Sequence, residues 1–349
     1  MKLTWHRRGL HTRHPFNIAR MDRSDRTARE ALLVRIEHEG HVGWGEAAPV
    51  SYYRQSLGSA EAALGRVGGL LGDSPFPLEA IHERLAREIG DQPATIAAVD
   101  EALHDLIGKL LGVPVWKMLG LSPDAMPLTS FTIGLDMPEV VAAKVREAAE
   151  YPILKIKVGT PDDEAILRAV REAAPNKPLR VDANCGWSAA VALDEMRRVA
   201  RFRVEFIEQP IAPGDGDDMR RLRDAGVAEL IADESCVRPE DVPACAGRFD
   251  GINIKLSKCG GIRPALRMIH AARILGLKVM LGCMVETSVG IAAAAQLAPL
   301  ADYLDLDGHL LLADDPFEGI GGAGGVLTLS ERPGLGVVER VADGCDHAR

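Results

Sequence analysis

The sequence predicts an α/β protein in which an N-terminal α+β unit precedes a closed parallel barrel of eight strands. Three observations carry that expectation. From about residue 127 onward, eight short β-rich runs alternate with helical patterns, and eight is the strand number of such a barrel. No glycine-rich phosphate loop follows the first of these runs, as an open doubly wound nucleotide-binding sheet would require. The first third lacks this alternation and sets two strand-like runs before longer helical stretches.

Taken in order, residues 31–37 (ALLVRIE) read as a strand, Gly40 as a turn, and 42–49 (VGWGEAAP) as a second strand. Segments 59–71 and 77–89 read as helices. The clearest helix is 95–111, in which Ile96, Val99, Leu103, Leu106 and Leu110 recur at helical spacing, with Gly112 and Pro114 ending it. The eight barrel runs are 127–134, 153–158, 178–184, 204–209, 229–235, 251–258, 278–284 and 302–307. Beyond residue 315 the alternation stops. The G-x-G-x-x-G at Gly319, Gly321 and Gly324 has no strand leading in and no helix following, so it reads as a loop.

Composition excludes several function classes. The formal net charge of −9 opposes general affinity for nucleic acid or anionic membranes, and 4% aromatics is too few for a base-stacking platform. No run approaches the roughly 20 apolar residues of a membrane span, and the polar N-terminus lacks a secretory h-region. The six cysteines are scattered without a C-x-x-C pair, which fits reduced thiols and a cytoplasmic location.

The chemistry lies in charged residues where barrel strands should be apolar. Lys157, Asp182, Glu208, Asp233 and Lys258 follow one another at intervals of 25, 26, 25 and 25 residues, about one βα unit each. Each strand thus offers one charged group near its C-terminal end, where barrel active sites are built. Three carboxylates from adjacent strands can converge on one hard cation, and oxygen-only ligation suits Mg²⁺, with Mn²⁺ as an alternative, rather than zinc. Lys155 and Lys157 share one strand face, and crowding two ammonium groups favours a neutral lysine that can act as a base. Lysines opposed across a metal-bound carboxylate suit removal of an α-proton from one face and its return on the other. On strand eight, Asp305 and Asp307 form a D-x-D pair on one face. Two acids there call for a cationic group on the substrate, such as a free α-ammonium, and repel an N-succinyl group.

These motifs (LKIKVG, RVDANCGW, FIEQP, IADES, NIKLSKCGG, with VGWGEAAP and GVPVWKMLG outside the barrel) resemble those of the enolase superfamily in its muconate-lactonising subgroup. The resemblance spans nearly the whole chain. It implies a (β/α)₇β TIM-type barrel over residues 121–315, an α+β capping domain with a substrate-closing loop over 1–120, and a C-terminal segment, 316–349, returning to the capping domain. It implies that Asp182, Glu208 and Asp233 bind Mg²⁺, that Lys157 and Lys258 are the acid/base pair, and that Lys155 tunes Lys157 and touches the substrate. Within the subgroup, the D-x-D pair, Thr132 in SFTIG and LGCMVETSVG resemble the dipeptide epimerases, in which such a pair holds the N-terminal ammonium. Arg23, in the polar segment 15–29, matches a position that meets the substrate's side-chain carboxylate in Ala–Glu epimerases.

The expectation is therefore an isomerase, an L-Ala-D/L-Glu epimerase-like enzyme acting in peptidoglycan peptide metabolism. Its partner is a small dipeptide rather than nucleic acid or membrane, and it forms a homo-oligomer. An N-acylamino acid racemase or a muconate-type cycloisomerase is the alternative. His104 reads as structural and Cys236 as packing.

Overall fold

The computed structural model describes residues 1–19, 27–214 and 216–340. The N-terminal unit is built on an antiparallel sheet of β1 (Lys2–His11), β2 (Ala28–His38) and β3 (His41–Ala47), in that order. β2 and β3 form a tight hairpin around Glu39 and Gly40. Both have positive φ, 48° and 78°, as a two-residue turn matched to strand twist demands. Helices α1 (Leu57–Val67), α2 (Leu78–Ile89) and α3 (Pro93–Leu111) cover one face of the sheet. Leu32, Val34 and Ile36 of β2 are buried there with Leu64, Ile81, Leu85, Val99 and Leu103.

Gly43 and Gly45 in VGWGEAAP let β3 lie directly on α3. A Cβ on Gly43 would sit 1.9 Å from the Ala102 carbonyl oxygen, and one on Gly45 would sit 1.9 Å from that of Ala98. α3 starts on Pro93 and stops at Gly112, whose φ of 71° turns the chain out of the helix.

The second unit is the expected barrel of eight parallel strands. They are β4 (Phe131–Ile133), β5 (Leu154–Lys157), β6 (Leu179–Asp182), β7 (Val204–Glu208), β8 (Glu229–Ala232), β9 (Gly251–Ile254), β10 (Lys278–Gly282) and β11 (Tyr303–Asp305). They neighbour one another in sequence order. The bridge of Thr129 to Leu304 and the bond from the Ser130 amide to the Leu304 carbonyl (3.0 Å) bring the last strand back to the first. Register places Lys157 beside Asp182 and Asp182 beside Glu208, all at C-terminal strand ends.

One run differs from its expectation. The strand in 251–258 ends at Ile254, and Leu256–Cys259 is a single helical turn closed by Gly260 (φ 98°). Gly261 follows, pressed against α3. A Cβ there would lie 2.5 Å from Asp100 Oδ2, and that oxygen accepts the Ile262 amide at 2.7 Å.

The glycine-rich tail is a packed segment rather than a free loop. β12 (Phe317–Glu318) pairs with β13 (Val338–Glu339), and Ile320, Leu327, Leu329, Leu335 and Val337 between them are buried. Gly334 bonds to Val113 and Val115, and the Leu335 amide donates to Asp105 of α3 at 2.8 Å. Among the described residues no helix is long and apolar enough to cross a membrane.

Candidate active site

Asp182 and Glu208 are the last residues of β6 and β7, and Asp233 follows β8 by one. All three are buried, and one carboxylate oxygen from each lies within 4.8 Å of the others. Three converging carboxylates with no nitrogen or sulfur donor suit a hard divalent cation such as Mg²⁺. Burial opposes ionisation of Asp182, but the ammonium groups of Lys157 and Lys155 overcome it and hold the carboxyl down at about 2. Burial and the neighbouring Asp182 push Glu208 up to about 7. Asp233 is held well below its usual range because Lys255 and Lys258 outweigh its burial.

Neighbouring side chains and backbone fix these acids. Asn253 Nδ2 donates to Glu208 Oε1 at 2.7 Å, and the Asn184 amide donates to Asp182 Oδ1 at 2.9 Å. Gln209 Oε1 accepts the amides of Asp233 and Ser235, both at 3.0 Å, which orients the loop leaving β8.

The lysines fall into two kinds. Lys157 Nζ contacts Asp182 Oδ2 at 2.7 Å and lies 6.0 Å from the centre of the Phe16 ring. Lys155 is buried at the centre of the acids, with Nζ 2.6 Å from Glu208, 2.6 Å from Asp305 and 3.4 Å from Asp182. Burial alone would lower its pKa, but Asp305, Glu208 and Asp182 raise it well above the ordinary lysine value. Crowding with Lys157 therefore does not leave Lys155 neutral. The carboxylates around it settle its charge.

Lys258 is not where the 25-residue interval put it. It sits in the turn after β9, and its ammonium is spent on the protein: Asp233 Oδ1 (2.6 Å), Asp233 O (2.7 Å), Cys236 O (3.0 Å) and Asn253 O (3.0 Å). The residue at the end of β9 is Lys255, whose Nζ contacts Asp233 Oδ2 at 2.8 Å and whose charge acts on all three acids. Lys157 and Lys255 thus stand at opposite ends of the row of acids, one on Asp182 and one on Asp233. The signal for Lys255 lay in the strand period of two, which puts it on the same face as Asn253 and puts Lys258 out of phase.

Both acids of the D-x-D pair are buried. Asp305 accepts from Ser130 Oγ (2.6 Å) and Thr132 Oγ1 (3.3 Å) and pairs with Lys155. Asp307 accepts the Thr132 amide at 2.5 Å. It has no cation within ion-pair distance among the described residues, and burial together with Asp305 pushes it up to about 7. A cavity of about 860 Å³ opens beside Thr132, lined also by Phe16, Phe131, Tyr151 and His309; Asp182, Glu208 and Asp233 are not among its lining residues. Arg23 lies outside the described residues. His104 is buried in α3 with Nδ1 2.7 Å from the Asp100 carbonyl, a structural contact.

Comparison with known proteins agrees with this geometry. Residues 3–120 match the family described as mandelate racemase / muconate lactonizing enzyme, N-terminal domain, and residues 139–340 match the one described as enolase C-terminal domain-like. The L-Ala-D/L-Glu epimerase of Bacteroides thetaiotaomicron is 41% identical over 341 residues, covering 97% of this chain and 88% of its own. The substrate-liganded L-Ala-D/L-Glu epimerase of Bacillus subtilis superposes with a TM-score of 0.92 at 30% identity, over 98% of this chain and 99% of its own. The dipeptide epimerase of Enterococcus faecalis, in complex with Mg and L-Leu-L-Tyr, gives 0.89 at 33% identity over 96% and 98%. With both domain families matched across 320 residues (118 plus 202) and the acids converging as described, this chain belongs to the mandelate racemase / muconate lactonizing enzyme family of the enolase superfamily.

Proposed function

We propose that this chain is a Mg²⁺-dependent dipeptide epimerase that inverts the α-carbon of the C-terminal residue, with L-Ala-D/L-Glu as its substrate. The observation that carries this reading is the pair of lysines on opposite ends of the acidic row, Lys157 on Asp182 and Lys255 on Asp233. Asp182, Glu208 and Asp233 would hold the ion. Once bound, Mg²⁺ supplies positive charge that stabilises the anion formed when the α-proton leaves.

The protein's own groups do the rest. One lysine takes the α-proton from one face, and the other gives a proton to the opposite face. The roles exchange for the other enantiomer. Lys155, whose pKa the surrounding carboxylates raise, is a cation suited to the substrate carboxylate. Asp307, with Thr132 and Asp305 around it, is the buried acid best placed to receive a free α-ammonium. Arg23 is assigned to the acidic side chain of the C-terminal residue. The five described cysteines are not joined in disulfides, in keeping with a cytoplasmic location, and a homo-oligomer is expected in solution.

The test is α-proton exchange in D₂O over a dipeptide panel with and without Mg²⁺. Exchange on Ala-Glu, abolished by chelation, is the expected result. Faster reaction of an N-succinyl amino acid than of every free dipeptide would overturn the substrate class. Arg23→Ala should cost Ala-Glu more than Ala-Leu.

A further inference from the structure

An ammonium group has three N–H donors and no acceptor. Lys258 Nζ meets four acceptors within 3.0 Å, and its side chain is fully buried. No donor remains for a substrate. The four acceptors come from the two segments that carry neighbouring functional groups. Asp233 and Cys236 lie on the loop leaving β8, and Asn253 lies inside β9, two residues before Lys255. The Asp233 carboxylate is consequently held between two lysines of one short segment, Oδ1 on Lys258 and Oδ2 on Lys255. The turn bearing Lys258 is itself anchored on the first domain, through Gly261 packed on Asp100 and the Ile262 amide bonded to Asp100 Oδ2.

We propose that Lys258 is a positioning residue, a cationic clamp that joins the β8 exit to β9 and thereby sets the direction of the Asp233 carboxylate and the reach of Lys255. The inference rests on the proposed reading of Asp233 as a metal ligand and Lys255 as a base. It follows from where the charge is spent. The clamp fills one oxygen of Asp233, fixes the rotamer of that side chain, and ties the backbone carbonyls on either side of it. A lysine acting as a base must keep part of its amino group free of protein partners, and Lys157 and Lys255 are each bonded to one carboxylate, Asp182 and Asp233 respectively. Removing the clamp takes a donor from a buried carboxylate oxygen and from three backbone carbonyls, of which that of Asp233 keeps the Cys236 amide at 3.1 Å, so the loop must rearrange to recover partners.

The sign of the effect on metal binding is decisive. As a cation near the site, Lys258 repels a divalent ion, and removing it would tighten binding if charge alone counted. As a clamp it orients a ligand, and removing such an outer partner typically costs about 10–100-fold in metal affinity.

The experiment compares Lys258→Met with Lys255→Ala in the full chain. Mg²⁺ affinity is read by calorimetry without substrate, and α-proton exchange is read separately on the L,L and L,D dipeptides. For Lys258→Met the expected result is Mg²⁺ binding weakened by about 10–100-fold and exchange reduced to a similar extent on both dipeptides. For Lys255→Ala it is exchange lost on one dipeptide only. Unchanged or tighter Mg²⁺ binding by Lys258→Met would overturn the clamp, as would loss confined to one enantiomer, which would make Lys258 a base. Should Lys258→Met not fold, Lys258→Gln retains a donor without the charge and is held to the same Mg²⁺ readout. If Lys255→Ala keeps both exchange reactions, the base assignment falls, whereas the substrate-free Mg²⁺ affinity of the Lys258 variants judges the clamp alone.

Discussion

At the residue scale, the site is a row of five acids of which, among the described residues, all but one pair with a lysine. Asp182, Glu208, Asp233 and Asp305 each meet a lysine, whereas Asp307, among the described residues, meets Thr132 and the weak Cys283 thiol and no cation. A buried carboxylate without a cation is costly, and a substrate ammonium is the charge that relieves it. Asp307→Asn should therefore raise KM for free dipeptides about ten- to a hundred-fold, the worth of a charge-assisted contact of roughly 1.5–3 kcal/mol. Reaction of an N-acylated amino acid, if any, should be unaffected. Comparable losses on both would remove Asp307 from the ammonium site. Lys157→Ala and Lys255→Ala should each lower the interconversion rate about 10²–10⁴-fold, the usual contribution of a positioned acid or base. Steady-state epimerisation followed by polarimetry would show it. Wild-type turnover in either variant would end the two-base mechanism.

At the scale of elements, the first domain is held together by β3 lying against α3 with no side chain between them. Gly43 and Gly45 face carbonyl oxygens of the α3 backbone, which cannot rotate away as a side chain would. Gly45→Ala should destabilise the chain by about 1–3 kcal/mol or more, because either the helix or the strand must shift. Thermal unfolding would register this as a clear fall in Tm. A melting curve superimposable on wild type would mean that the strand and helix separate easily. The same closeness matters for the site, since α3 carries Asp100, which receives the backbone after the Lys258 turn. Helix packing in one domain is thus continuous with the loop that bears Lys255 and Lys258 in the other.

At the scale of the whole molecule, the two domains meet at a buried carboxylate. Glu46 of β3 accepts the Thr287 amide at 3.0 Å, the Thr287 hydroxyl, and the Gly290 amide at 3.3 Å, at the start of the barrel helix Ser288–Ala295. Burial raises Glu46 from its ordinary 4.5 to about 7 despite those donors, with Asp315 adding to the rise. Burial and the Glu46 charge lift Glu286 to about 8, and Glu101, bonded to the Glu46 amide, also lies well above its usual range. A carboxyl raised on folding keeps a proton that the unfolded chain has released. Its stabilising share is full below pH 4.5 and is lost as pH rises through 7. Glu46→Gln should flatten the fall in Tm between pH 5 and 7, by an amount worth about 1–3 kcal/mol. A fall equally steep in the variant would place the pH dependence elsewhere.

How far the sequence alone reaches depends on whether an element's signal is local. Strand and helix period, the turn at Gly40 and the helix stop at Gly112 and Pro114 lie within a few residues of what they determine, so the eight barrel strands and the first-domain helices were legible. The repeat of about 25 residues also marked Asp182, Glu208 and Asp233, because each lies at or one residue past the C-terminal end of its strand and every βα unit has a similar length. At the last lysine the interval and the strand period point to different residues. β9 stops at Ile254 and a helical turn follows, so counting residues from Asp233 arrives at Lys258, while strand alternation from Asn253 arrives at Lys255. Only the tertiary structure decided which lysine keeps a free donor and which is consumed by four acceptors, since those acceptors lie up to 25 residues away. The same holds for the charge of Lys155, which three carboxylates from three other strands determine, and for Asp307, whose lack of a cation follows from what surrounds it. A sequence fixes which charges exist and at what period they recur. Their pairing depends on distances of a few ångströms between separate strands, and only folding sets those.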